Sequence, residues 1–432
     1  MVLSSAASIA LIGSMVGAVS SGMQFDFWGR KKTMMSTQIV ALFGFVFLRF
    51  ANSIPMLFIG NFLGGYTEGV YLFAAPVYTA EINQPRIRNY TLSFNVLAFY
   101  ICFSFTYVIG SMVSWRQTIS ILMVLPCIFF FLLFLCPDSP TWHMLKGRKD
   151  TALELLIKLR GDELVAKNEI ERINENMEKQ KLLTEKSNTS SYYKEQLAII
   201  TKGTFIRPCI VLMVFFAIGW QWTGETSLTF YTVNIVQQFN IPISAYWISA
   251  GMGCYQFLIA ILGVLLSAIV PRRRHYTGSG ILVILGAFML GTFSHLQKYN
   301  FFVEFLEANP VFRWIPILAF LILLGGYASG YVGVCHMLLG ELLPSNGRAI
   351  GSCIVMQINY VSNFLVTKFT PSLIEILGMD GLFWLFSAIA TVSVIFGYFC
   401  MPETFGFSLE EIEEHYRTLC YPNMFKKRKD TT

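Results

Sequence analysis

The sequence predicts an all-α protein that crosses a membrane many times and consists of two helix bundles. Its 432 residues are 54% hydrophobic and 13% charged, whereas an average soluble chain is about 25% charged. Apolar residues run without interruption over many stretches of about 20 residues, the length that crosses a hydrocarbon core as a helix. Because hydrophobicity is continuous and does not alternate, helices are favoured over the strands of a barrel.

The apolar stretches predict eleven spans, with ends uncertain by a few residues. These are 2–23, 33–51, 55–80, 90–113, 116–136, 206–238, 243–270, 276–296, 311–340, 346–375 and 380–401. A polar block of alternating charge separates the first five spans from the last six and predicts short surface helices. The chain is thus expected to have an N-terminal bundle (1–136), a helical linker domain (137–205), a C-terminal six-helix bundle (206–401) and a tail (402–432).

Lysine and arginine concentrate in one set of connections, which includes 30–32, 137–205 and 272–274, and are sparse in the opposite set. Because cytoplasmic loops carry the excess of basic residues, this set and the C-terminus are expected in the cytoplasm, with the protein in the plasma membrane. Two six-helix halves are the usual arrangement for such a chain. We therefore expect that the first helix of a twelve-helix protein is absent.

Several other classes of function lack support in the sequence. The nine cysteines are scattered singly, without the spacing of a zinc site. No nucleophile, metal or cofactor constellation suggests an enzyme, and no phosphate-binding loop suggests ATP. The net charge of +6 comes from residues beside the spans, so we expect no nucleic-acid partner. Because the motifs for metal and cofactor sites are missing, we also expect no metal and no cofactor.

A charged pattern occurs twice, at matching points of the two halves. Its three parts are a basic loop, an acidic residue followed by an arginine, and a proline–acid motif. In each half an acidic residue ends a span and an arginine follows seven residues later, as in Glu81 with Arg88 and Glu341 with Arg348. Partly exposed ion pairs are worth about 1 kcal/mol each, so several could hold the cytoplasmic ends of the bundles closed and still break. The expected gate residues are Asp26, Arg30, Glu81, Arg88, Arg273, Glu341, Arg348 and Glu403. The alternative is that these charges only set the topology.

These motifs resemble those of the sugar porter family of the major facilitator superfamily, and within it the insect trehalose-transporter-like members. The matched segments are Gly22 to Lys31, Pro76 to Arg88, Pro137 to Pro140 and Pro402 to Glu411. The resemblance implies a two-bundle fold and membrane transport of a sugar by alternating access, in which one bundle rocks against the other. The chain departs from the family at Phe27 and Asn61, and its second loop motif keeps only the arginines.

The resemblance also places a substrate site around the span 206–238, which is rich in amides, hydroxyls and aromatic rings. Gln221, Gln256 and Asn359 are the expected hydrogen-bonding residues, and Val96, Thr226 and His336 depart from the family's sugar contacts. The complete expected set is Gln221, Gln256, Asn359, Thr226, Tyr231, Tyr360, His336 and Glu225. The alternative for each residue is a hydrogen bond between helices.

Two acidic residues, Glu68 and Glu225, lie inside predicted spans, where a carboxyl group is costly and suggests proton handling. A neutral carboxyl bonded between helices is the alternative. Three functions remain open from the sequence. The first is a facilitative carrier of a small polyhydroxylated solute such as a hexose or trehalose. The others are a proton-coupled carrier of inositol or another metabolite, and a non-transporting nutrient sensor or degenerate paralogue.

Overall fold

The computed structural model describes residues 2–83, 85–185, 203–239, 241, 243–343 and 348–405, and within these ranges the regular elements are helices with no strand. The chain divides into two compact units. The first contains Met1–Ala98 and Val113–Ala198, and the second contains Phe99–Met112 and Ile199–Thr432. One helix, α4, therefore contributes residues to both units.

The first unit begins with four long helices and ends with helices of mixed length. The long helices are α1 (Val2–Trp28), α2 (Arg30–Arg49), α3 (Ile54–Ile82) and α4 (Pro85–Met112), and the shorter α5 (Trp115–Leu122) and α6 (Val124–Leu135) together form one apolar stretch. The polar block that follows forms α7 (Pro140–Leu145), α8 (Lys149–Arg160) and α9 (Glu163–Glu185). The predicted helices are thus present over the described residues of this block, although α9, with 23 residues, is longer than the short helices expected.

Glycines let α1 and α3 touch through their backbones. A Cβ atom at Gly65 would lie 1.7 Å from the carbonyl oxygen of Ala10, and one at Gly17 would lie 2.2 Å from the carbonyl oxygen of Tyr66. Gly69 makes a similar approach to α1. Residues four apart share one face of a helix, and small residues on such faces allow close packing of membrane helices.

The second unit contains eight further α-helices and two π-helical segments among its described residues. They are α10 (Gly203–Val214), α11 (Glu225–Gln238), α12 (Ala245–Ser267), α13 (Arg272–Leu296), α14 (Asn300–Ala308), α15 (Ile315–Gly326), α16 (Val332–Leu342) and α17 (Arg348–Cys400). The π-helical segments are Phe215–Gln221, between α10 and α11, and Tyr327–Tyr331, between α15 and α16. The predicted spans 206–238 and 311–340, which contain these two segments, are therefore broken helices.

Helix α17 contains two of the predicted spans. Its 53 residues would be about 80 Å long as one straight helix, far more than a bilayer needs. Gly378 has a φ of 74° and breaks the helical path at this point. The break falls between the predicted spans 346–375 and 380–401.

Seven helical stretches of the described chain are long and apolar enough to cross a membrane. The last of them, Gly351–Cys400, contains the break at Gly378. Leu97–Met112 of α4 is a shorter apolar stretch, and α2 and α3 have the length of spans without being among the seven. The all-α polytopic class is thus confirmed, whereas the number of eleven spans and the division into four segments stay predictions.

Candidate functional site

The helix that carries the expected substrate residues is broken at its middle. After the π-helical segment, Gly224 adopts a φ of 94°, and a Cβ atom there would lie 2.3 Å from the ring of Phe386. The break leaves the carbonyl oxygen of Thr223 without its helical partner, and the hydroxyl of Tyr327 donates to it at 2.7 Å. Tyr327 belongs to the second π-helical segment, so the two broken helices meet here. Breaks of this kind supply binding groups in membrane proteins.

Three of the expected substrate residues form one hydrogen-bonded chain at this break. The Thr226 hydroxyl donates to Oε1 of Gln221 at 2.7 Å, and Nε2 of Gln221 donates to Oδ1 of Asn359 at 2.9 Å. All three side chains are buried. A regular helix does not bring residues five apart into contact, so the break is what allows Thr226 to reach Gln221.

Glu225 and His336 lie beside this hydrogen-bonded chain, and Trp220 contacts both of them. Oε2 of Glu225 accepts hydrogen bonds from Nε1 of Trp220 at 3.1 Å and from the Thr226 hydroxyl at 3.3 Å. The ring of His336 lies edge-on to that of Trp220, with 4.9 Å between centroids. Trp220 is therefore a site residue that the expected substrate set does not contain. Its position beside Gln221 was the available signal.

The remaining expected residues have other surroundings. The Tyr231 hydroxyl donates to the carbonyl oxygen of Thr367 at 3.3 Å, and Tyr360 is buried in α17. Gln256 lines a separate small cavity of about 10 Å³, together with Tyr107 of α4 and residues of α11, α12 and α15. A cavity of this volume holds about one water molecule, so it is too small for a sugar.

Glu68 belongs to the first unit, on α3. Its side chain is exposed, and its Oε2 accepts a hydrogen bond from the Ser14 hydroxyl of α1 at 3.1 Å. The two acidic residues that the sequence singles out are thus both bonded to hydroxyl groups of neighbouring residues.

The first charged cluster joins the ends of three elements. Nη2 of Arg30 lies 2.9 Å from Oε1 of Glu81, and both side chains are less than 15% exposed. The hydroxyl of Ser139, which precedes α7, donates to the other oxygen of Glu81. The acid at the end of α3 is therefore held by the start of α2 and by the start of the linker helices.

The second charged cluster repeats this arrangement. Nη2 of Arg272 lies 3.2 Å from Oε1 of Glu341, and the Thr404 hydroxyl donates to Oε2 of Glu341 at 2.6 Å. Glu403 accepts hydrogen bonds from the backbone nitrogens of Arg272 and Arg273 at 2.9 and 3.3 Å. A carboxylate at this position stabilises the start of α13 by capping it and by its charge.

Each cluster thus consists of an arginine, a glutamate and a hydroxyl residue from the same unit. In the second cluster, Arg272 forms the ion pair, although the sequence pointed to Arg273, whose guanidinium lies 4.4 Å from the centroid of the Tyr398 ring. The side chains of the other three expected gate residues, Asp26, Arg88 and Arg348, lie outside the part of the chain that the structure describes.

An all-α chain with many apolar spans, two of them broken beside buried amides and hydroxyls, defines the class of multi-pass membrane transporters. The family model for "Sugar (and other) transporter" matches residues 1–416. The chain therefore belongs to the sugar (and other) transporter family.

Relatives and solved structures agree with this assignment. The chain is 28% identical over 414 residues to "Facilitated trehalose transporter Tret1" of Apis mellifera ligustica, covering 95% of this chain and 78% of that protein. It is 27% identical to the Tret1 protein of Drosophila yakuba, covering 93% of this chain. The chain spans 45% of the length of that second relative, less than half of it.

Two structures of the xylose transporter XylE are similar in fold. One shows the E. coli protein in a partially occluded inward open conformation, with a TM-score of 0.74 and 19% identity over 94% of this chain and 89% of the other. The second shows the proton:xylose symporter bound to 6-bromo-6-deoxy-D-glucose, with a TM-score of 0.70, 19% identity and coverage of 96% and 89%. The predicted major facilitator fold is confirmed, while the transported solute and the individual site residues stay predictions.

Proposed function

We propose that this chain carries a small polyhydroxylated solute, of the hexose or trehalose type, by alternating access. The observation that carries the proposal is the buried chain of Thr226, Gln221 and Asn359 at the broken helix. Sugar hydroxyls both donate and accept hydrogen bonds, so a bound sugar can take over each bond that these side chains now make with one another. The relatives described as facilitated trehalose transporters support a solute of this size and chemistry.

The charged clusters fit the moving parts of such a carrier. Arg30 pairs with Glu81 in the first unit and Arg272 with Glu341 in the second, so each cluster fixes span ends within one unit. A unit whose helix ends are tied together can move as a rigid body, as rocking of one bundle requires. In the proposed topology these clusters and the C-terminus face the cytoplasm, with the protein in the plasma membrane.

The substrate proposal can be tested by uptake of radiolabelled glucose and trehalose into proteoliposomes. Asn359→Ala and Thr226→Ala should each raise KM about tenfold, because a hydrogen bond to a ligand is worth about 1 to 1.5 kcal/mol. Ser227→Ala is the matched control, since the Ser227 hydroxyl lies on the same helix and bonds with Thr370 at 2.7 Å. It should change KM by less than about twofold, since its loss of about 1 kcal/mol falls on stability. An equal rise in KM in all three variants would mean that the hydrogen-bonded chain of Thr226, Gln221 and Asn359 is only structural.

Proton coupling is the second candidate, and the contact between Glu225 and Thr226 favours it. A carboxyl group that shares a hydroxyl with the proposed ligand chain can gain or lose a proton as the ligand exchanges its bonds. One related fold is described as a proton:xylose symporter. If this coupling operates, addition of substrate will drive proton uptake into vesicles and Glu225→Gln will remove it. If sugar uptake occurs without proton movement, and Glu225→Gln does not change that uptake between pH 5.5 and 7.5, the protein is a facilitative carrier. Ligand binding without any uptake would identify a sensor.

A further inference from the structure

We propose that α14 and the turn after it form an interfacial segment, residues 299–314, which lies in the boundary between lipid headgroups and acyl chains. This segment connects α13 to α15. Both neighbours belong to stretches that are long and apolar enough to cross the membrane. Helix α13 ends at Leu296 and α15 begins at Ile315, so α14 starts within about a turn of one span's end. The segment lies on the membrane face opposite to Arg272–Arg274, which begin α13.

Contacts with the protein fix how α14 is rotated about its axis. Leu306 is 7% exposed, and the ring of Phe302 packs against Phe293 of α13 with 5.6 Å between centroids. The Nε atom of Arg313 donates to the carbonyl oxygen of Leu306 at 3.2 Å. These contacts hold one side of the helix against the second unit and determine which side chains face outward.

The outward side is apolar along one stripe and acidic along another. Phe301 and Phe305 lie one turn apart, and their side chains are 65% and 41% exposed. At about 100° per residue, Glu307 lies about 140° and Glu304 about 80° from the centre of this stripe. A helix with an exposed apolar stripe and a separate charged face is the form that lies in a membrane interface.

The turn that follows extends the apolar surface. Residues Pro310–Trp314 form a 3₁₀ helix in which the side chain of Val311 is 78% exposed, and Phe312 and Trp314 are also exposed. Tryptophan is enriched at the level of lipid headgroups, where one part of its ring is wet and the other is not. The exposed rings continue directly from the lipid-facing spans, so lipid is the occupant that the chain's own path indicates.

The test places a photoreactive ring at single positions of the full chain. Phe301 and Phe305 are each replaced by p-benzoylphenylalanine, the protein is reconstituted in phosphatidylcholine vesicles, and adducts are detected by mass spectrometry after illumination. Phe131 of α6, exposed on an apolar span, is the positive control, and Glu307, the acid farthest around the helix from the stripe, is the negative control.

The proposal expects phosphatidylcholine adducts at positions 301 and 305 at about the yield of position 131, with at least tenfold less at position 307. A protein-to-protein adduct at 301 or 305 would show that a second copy covers the stripe, and would overturn the proposal. Equal lipid yields at positions 301 and 307 would also overturn it. None of these outcomes depends on transport activity, so the inference can fail while the proposed function stands, and the reverse also holds.

Discussion

Replacing Gly65 with alanine tests the backbone contact that joins α1 to α3. The new Cβ atom would lie 1.7 Å from the carbonyl oxygen of Ala10, whereas close carbon–oxygen contacts between helices are about 3.3 Å. The two helices would have to separate by about 1.5 Å at this point, since the obstructing atom is backbone and cannot turn away. The neighbouring contact at Gly69 would loosen together with it.

The magnitude follows from two opposing effects. Overpacking costs about 1 to 3 kcal/mol, and a rigid backbone obstacle places this site at the upper end. Alanine is favoured over glycine in a helix by about 1 kcal/mol, which leaves a net loss of about 2 kcal/mol. For a unit of roughly this size, such a loss lowers the midpoint of thermal unfolding by about 4 to 8 °C.

The assay is thermal unfolding of the purified protein in detergent, followed by size-exclusion chromatography of the soluble fraction. Gly64→Ala is the matched control, because a Cβ atom at Gly64 meets no atom within 4 Å. Its midpoint should be unchanged or about 2 to 4 °C higher, from the gain in helix propensity. If both alanine variants unfold at the same temperature, the close contact between α1 and α3 does not exist.

Three further predictions concern the charged groups. Arg160→Met should lower the unfolding temperature by several degrees, because the 3% exposed Arg160 side chain forms a bidentate pair with Glu169. Lys167→Met breaks an exposed pair and should change the unfolding temperature little. Burial lowers the pKa of His143, so the unfolded chain takes up a proton first and stability should fall as pH drops through about 6.5. His143→Gln should therefore reduce the change in unfolding temperature between pH 7.5 and 5.5. A pH dependence identical to that of the wild type would refute this. Glu341→Gln should weaken the second cluster and slow sugar exchange several-fold in proteoliposomes, and an unchanged exchange rate would separate that cluster from the transport cycle.

Local sequence pattern was sufficient for the fold class. Membrane spans must be long, apolar and helical, so hydropathy located the stretches now seen as α10 to α13 and α15 to α17. The break in α17 at Gly378 fell between two predicted spans, because the polar and flexible residues at a turn interrupt hydropathy. Glu81 and Glu341 were singled out because their spacing to the following arginine repeats, whereas the arginines that pair with them in the structure are Arg30 and Arg272.

Contacts that depend on helix irregularities could not be predicted in this way. Three consecutive arginines point in directions about 100° apart, and only the path of the chain before α13 decides that Arg272 meets Glu341. The hydrogen bond from Trp220 to Glu225 joins residues five apart, which a regular helix keeps separate. The bond between Gln221 and Asn359 joins residues 138 apart, and no local pattern carries that information.

Counterflow in proteoliposomes tests the central claim most directly. Vesicles that contain the full chain are loaded with unlabelled trehalose or glucose, diluted into a trace of the labelled sugar, and followed for transient accumulation of label. The account predicts saturable accumulation of at least one of these sugars, without ATP, reduced about tenfold in Asn359→Ala at low sugar concentration. Label at the level of empty vesicles for both sugars and for inositol, with the protein folded and inserted, would contradict it.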